Sequence, residues 1–255
     1  MSGKNDKSQK PKKSKRKKVN YYNTTKKNRI LITNSRELLK CITMNYIFII
    51  VILLCIYALN YYDTQKYDYV TSLFSFSLAM LMGWTIHYIS HAFDFDELYD
   101  KCNFQPFKYI KSNPKLDKYL RLFILYTFDF HDKIHHDSKI NKSTLNVIIE
   151  AVQNILTQGG LLIIIAIFTK INLDKTAIML WGLMYSTVHN INYRLECNSQ
   201  HENHHIDPKT NYALDVFDII FDTKYDLNNI ENLNFNWGIN TTIITFCMIY
   251  FNLYI

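Results

Sequence analysis

Apolar residues in this chain gather into five long runs that contain no Lys, Arg, Asp or Glu: 42–62, 69–90, 151–169, 176–193 and 238–255. The first has the core YIFIIVILLCIYAL and the third contains LLIIIAIF. A helix needs about 20 residues to cross ~30 Å of hydrocarbon, so each run is a candidate span. The third is weakened by Gln153, Gln158 and the Gly159–Gly160 pair, and the fifth is short. The links 63–68 and 170–175 are too short to be domains, so the spans pair as hairpins. The pattern predicts an all-α integral membrane protein with four transmembrane helices in two hairpins and a fifth candidate at 238–255. Between the runs, LDKYLRLFILYTF (116–128) mixes apolar and charged residues and predicts an interfacial helix, with a poorly formed extra span as the alternative.

Charge divides the chain further. Residues 1–30 hold twelve Lys and Arg against the single acid Asp6, while the whole chain of 255 residues is only +7, so the remainder is net acidic. The basic character belongs to a tail without apolar periodicity, expected to be disordered. We divide the chain into a basic tail at 1–40, a membrane domain at 41–237 and the candidate C-terminal helix at 238–255. The tail reads as a solvated, topology-setting segment. Binding to anionic headgroups is the next reading, and nucleic-acid binding is not expected because spans follow directly. A cleavable signal peptide is not expected, since the first apolar run begins only near Ile42. Basic residues before the first span place the N-terminus in the cytosol. Two hairpins then put both 91–145 and 194–237 on the cytosolic side. The cysteines Cys41, Cys55, Cys102, Cys197 and Cys247 are scattered without a CxxC pair and read as reduced thiols.

The nine histidines change the picture most. They are His87, His91, His131, His135, His136, His189, His201, His204 and His205. His87–His91, His131–His135 and His201–His205 are i, i+4 pairs, so on a helix each pair shares one face. His136 and His204 stand beside them, and every cluster falls on the face that charge alone assigns to the cytosol. That many imidazoles are too many for one ion and suit two. Imidazole accepts Zn, Cu, Fe or Ni, so the ligand type does not choose the metal. His189, taken singly, also reads as a hydrogen-bonded helix-end residue.

In order, HYISH (87–91), KIHHDS (133–138), an apolar hairpin, HENHH (201–205), Asn211-Tyr212 and FDIIFDT (217–223) resemble the fatty acid hydroxylase (sterol desaturase) superfamily over roughly 70–225. Asn141 and Thr144 echo the polar residues that usually follow the second motif. Two departures stand out. The second motif reads HxxxHH, with Asp132 where a histidine is usual; either His131 supplies that ligand, or Asp132 does, or one is lost. The closing motif has Phe217 for Trp and Asp222 for Gly.

The resemblance implies a di-iron centre held by His87, His91, His131, His135, His136, His201, His204 and His205, with His189 as a ninth ligand. It implies Asp218 as a carboxylate that orients a ligand imidazole, beside the reading of an ordinary helix-surface acid, and it leaves Asp132 as ligand or neighbour. It also implies O₂-dependent hydroxylation or desaturation of a lipid in the endoplasmic reticulum. The chain carries no flavin, haem or iron–sulfur pattern, so an external electron donor such as cytochrome b5 or its reductase is expected. Asp94, Asp96 and Glu150 near the rim read as solvated charge, with proton or headgroup contact as the alternative. Two other functions compete. HENHH is also an HExxH pattern, with Glu202 as the general base of a zinc hydrolase. The shifted second motif also suits a non-catalytic metal-binding member.

Overall fold

The computed structural model describes residues 31–62, 67–137, 143–195 and 199–254. Residues 1–30 of the tail, Asn141 and Cys197 lie outside the described residues, while 31–40, expected to be part of the disordered tail, are helical. Every regular element among the described residues is helical. Helices α1 (Leu31–Met44) and α2 (Tyr46–Tyr62) lead into α3 (Tyr69–Ala92). Three short helices follow: α4 (Phe95–Lys101), α5 (Gln105–Ser112) and α6 (Pro114–Thr127). After a π turn at His131–His135 come α7 (Thr144–Ile155), a second π turn at Leu156–Gly160, and α8 (Leu161–Thr169). Helix α9 (Lys175–Thr187) runs through a third π turn at Val188–Asn192 into α10 (Tyr193–Leu195). The chain ends with α11 (Ser199–Ile206), α12 (Asp215–Ile220) and α13 (Asn236–Tyr254).

Among the described residues, two helices are long and apolar enough to cross a membrane: Tyr69–Ala92, and Thr144–Thr169, which runs continuously through α7 and α8. A third span results if α1 and α2, bent by 66°, count as one. These helices point to membrane association. The bend falls at Asn45, whose side chain donates to the Glu231 carbonyl at 3.0 Å and accepts from Leu233 N at 2.8 Å. A side chain engaged with a distant backbone segment in this way is a recognised cause of a helix break.

Each hairpin turn ends in an aspartate that caps the returning helix. Asp68 accepts from Thr71 N at 3.0 Å at the start of α3, and Asp174 accepts from Thr176 N and Ala177 N at the start of α9. Such a cap satisfies helix-end donors and is worth about 1 kcal/mol.

The run 176–193 differs from a lipid-facing span. Helix α9 runs on through the third π turn, and along it Ile178, Leu180, Trp181, Met184 and Val188 are all fully buried in the described core. Helix α9 packs against α3, α7 and α13 as the central post of the bundle. A Cβ at Gly159 would come within 2.9 Å of the Ile178 carbonyl, and one at Gly182 within 3.1 Å of the Ile155 carbonyl. Glycine at these two positions lets the backbones approach closely. Run 238–255 forms α13, which packs on α2 and α9 and carries Thr241, Thr242 and Thr245 along its length. The segment 116–128 lies largely in α6, capped by Asn113, with Tyr119, Leu122 and Phe123 exposed. Cys41, Cys55, Cys102 and Cys247 are free thiols.

Candidate metal centre

Four separate elements deliver the histidines. The last turn of α3 carries His87 and His91 on one face. His131, His135 and His136 come from the first π turn, where His136 N donates to the His131 carbonyl at 3.3 Å in an i→i+5 bond. At the α-helical 100° per residue, His136 would point about 140° away from His131. The wider π winding brings His136 back toward the side held by His131 and His135, and π turns often mark functional sites. The third π turn places His189. Helix α11 presents His201 and His205 together, with their Nε2 atoms 3.0 Å apart.

All nine rings meet in one cluster. Centroids lie 4.2 Å apart for His87–His131, 4.7 Å for His87–His204 and 4.9 Å for His91–His131. The chain of contacts continues through His91–His136 at 4.8 Å, His136–His205 at 4.4 Å, His201–His205 at 4.5 Å, His189–His201 at 4.7 Å and His135–His189 at 4.9 Å. Among the described residues, four overlapping groups could hold a metal ion, with ligand atoms inside 4.8 Å: His87, His91, His131 and His204; His131, His135 and His136; His135, His201 and His205; and His135, Glu150 and His189.

The anchors behind the rings decide which nitrogen faces inward. His87 Nδ1 donates to the Tyr212 carbonyl, and His204 Nδ1 donates to the Thr210 carbonyl at 2.6 Å. In a neutral imidazole that leaves Nε2 as a bare lone pair. Yet the Nε2 atoms of His87 and His204 lie 3.1 Å apart, and His131 Nε2 is 2.7 Å from the first and 3.4 Å from the second. Protonation is not the remedy. Burial, and then the neighbouring imidazoles, hold His131 and His204 well below the ordinary imidazole range. Burial first of all does the same for His201 and His136, and lowers His205 to about 4. Converging lone pairs on neutral rings fit a cation between them. Nε2 of His91, both ring nitrogens of His136 and Nε2 of His189 are also buried without a hydrogen-bond partner. The donor set therefore fits a metal, and imidazole nitrogen suits the first-row ions.

Several sequence expectations change here. Glu150 is not solvated: it is 2% exposed, with Oε1 3.1 Å from Nδ1 of both His135 and His189 and Oε2 accepting from Arg194 at 2.8 Å. The available signal was its position as the only charge between 144 and 169, since a charge inside a membrane-length apolar helix marks a functional site. Asp94 and Asp96 do remain at the exposed side, paired with Lys133 and Arg121.

Asp218 is neither a surface acid nor in contact with an imidazole. It is fully buried and accepts from Trp84 Nε1 at 3.0 Å, Tyr212 N at 3.1 Å, Ala213 N at 3.3 Å and Thr223 Oγ1 at 2.6 Å. It fixes the loop whose Tyr212 carbonyl holds His87, so it acts one step further out than expected. His131 enters the first group, while Asp132, half exposed, lies 3.2 Å from His91 Nδ1. Of the alternatives at the second motif, His131 stands among the grouped imidazoles and Asp132 stands behind His91. Glu202 is exposed and belongs to none of the four groups. The anchors at Thr210 and Tyr212 are backbone carbonyls, which no side-chain motif announces.

Asp222, standing where the resembled motif has Gly, has φ 56°. Glycine adopts that conformation freely and Asp tolerates it, but a β-branched residue does not. Asp222→Gly should relieve backbone strain at this position, which thermal unfolding in detergent compares with a β-branched replacement. Asp222→Val should lower stability by about 1–2 kcal/mol.

Beside the cluster lies a cavity of about 390 Å³. Ile86, Ile89, Phe128, Leu156, Leu161 and Ile164 give it apolar walls, and His87 and His131 form part of the same lining. Leu161 and Ile164, on α8, are exposed on the outer surface of the bundle. No family model, no curated protein and no solved structure matches this chain.

Proposed function

We propose that this chain is a membrane-bound di-iron oxidase that uses O₂ and external electrons to hydroxylate or desaturate a lipid such as a sterol, a fatty acyl chain or an ether lipid. One observation carries the reading: inward-facing, neutral imidazoles from four elements converge beside an apolar cavity that two of them help to line. Two iron ions bound there would supply the O₂ chemistry that side chains cannot. The chain's own residues do the rest. His87, His91, His131 and His204 would hold one ion, and His135, His189, His201 and His205 the other, with His136 between them. The carbonyls of Thr210 and Tyr212 keep two ligand rings in the tautomer that presents Nε2. The cavity walls exclude water and bring an apolar carbon toward His87 and His131.

Four spans with the N-terminus and the histidines on the cytosolic side, in the endoplasmic reticulum, complete the proposal. The electrons would come from cytochrome b5 or its reductase, since the chain has no redox-cofactor motif of its own. A zinc hydrolase needs its general base at the metal, and Glu202 is exposed and belongs to none of the four groups. The non-catalytic reading rested on a missing ligand in the second motif, and the place of His131 among the grouped imidazoles speaks against that loss.

Mass spectrometry of lipids from cells with and without the chain tests the reading. A lipid gaining one oxygen atom indicates hydroxylation, and one losing two hydrogens indicates desaturation. An unchanged lipid profile counts against any oxidase. The cavity gives a second expectation. Thr157→Trp fills space where an apolar carbon would sit, and misplacement of a substrate carbon by about 1 Å can cost on the order of 100-fold, so product formation should fall about 10-fold or more with metal content unchanged.

A further inference from the structure

The two ends of the histidine cluster are anchored by different chemistry. At the His87 end, the buried rings lean on neutral carbonyls, Tyr212 for His87 and Thr210 for His204. The carboxylate near that end, Asp132 behind His91, is 49% exposed, so water screens it. At the His189 end, one buried carboxylate oxygen, Oε1 of Glu150, faces Nδ1 of both His135 and His189 at 3.1 Å. Glu150 is the only carboxylate in the four metal-holding groups. Arg194 holds its other oxygen at 2.8 Å and so tempers its charge. A carboxylate behind a ligand imidazole raises the basicity of the ring and fixes its direction.

We propose that Glu150 makes the centre unequal, as a positioning residue that aims His135 and His189 inward and causes the ion at the His135–His189–His201–His205 end to be held more tightly than the ion at the His87 end. This rests on the metal-centre reading above. It also assigns Arg194 a function: by pairing with Glu150 it limits how much negative charge the two imidazoles feel.

Cobalt(II) titration of the metal-free full chain in detergent, followed by visible absorption, tests the ranking. The wild-type protein should fill in two steps of different affinity. Glu150→Gln should weaken the tighter step by about 10–100-fold and leave the weaker step in place. Arg194→Gln keeps the carboxylate and removes its partner, so it should tighten the first step. A residue that only propped up the fold would weaken both steps in both variants. The Arg194 variant also decides the matter if Glu150→Gln does not fold, because a shift toward weaker binding contradicts the proposal. Two steps unchanged within about 2-fold in Glu150→Gln overturn the ranking while leaving the metal centre intact. A wild-type chain that takes up no cobalt overturns the centre and the ranking together.

Discussion

Replacing His204 with alanine is expected to cut lipid oxidation by more than about 100-fold and to lower the bound metal, in a chain that still folds. Losing a residue that only supports a ligand already costs about 10–100-fold in affinity or activity, and losing the ligand should cost more. His204 sits at the convergence point: its Nε2 is 3.1 Å from that of His87 and 3.4 Å from that of His131. Its Nδ1 is held by the Thr210 carbonyl, which keeps Nε2 aimed at the other two. Metal analysis of the purified variant, together with lipid products from cells expressing it, checks the expectation. Full activity in His204→Ala would show that the cluster is not the reacting centre.

Asp218→Ala should produce the largest loss of stability, about 3–5 kcal/mol. Its carboxylate accepts four hydrogen bonds in a fully buried position, from Trp84, Tyr212, Ala213 and Thr223. Alanine would strand those donors, and each unsatisfied buried donor costs on the order of 1–3 kcal/mol, partly recovered by relaxation and water entry. The damage should reach the site as well, because the Tyr212 carbonyl would no longer be held against His87. Asp218→Asn keeps two acceptor lone pairs and should lose less than half as much. Thermal unfolding of both variants in detergent gives the comparison, and a loss below about 1 kcal/mol for Asp218→Ala would contradict this role.

The histidine clusters were legible because their spacing is local: an i, i+4 pair shares a helical face wherever the helix later packs. The all-helical class followed from charge-free runs of membrane length. Other features depend on what packs against each run, which periodicity does not carry. Run 176–193 has the composition of a span, yet most of α9 faces protein, with Trp181 and Leu180 fully buried and a half-buried stripe at Met179, Leu183 and Thr187. The bend at Asn45 comes from bonds to residues 231–233, far along the chain. The π winding that turns His136 inward has no composition signal. Glu150 was readable in principle, as a lone charge in an apolar helix, but its partners His135, His189 and Arg194 come from other elements.

The most direct test is the metal content of the full-length chain, purified in detergent without added metal and measured as iron and zinc per chain by mass spectrometry. The expected result is close to two irons in the wild-type protein, falling in His135→Ala and His204→Ala. Zinc alone, or no metal in a folded chain, would contradict a di-iron oxidase.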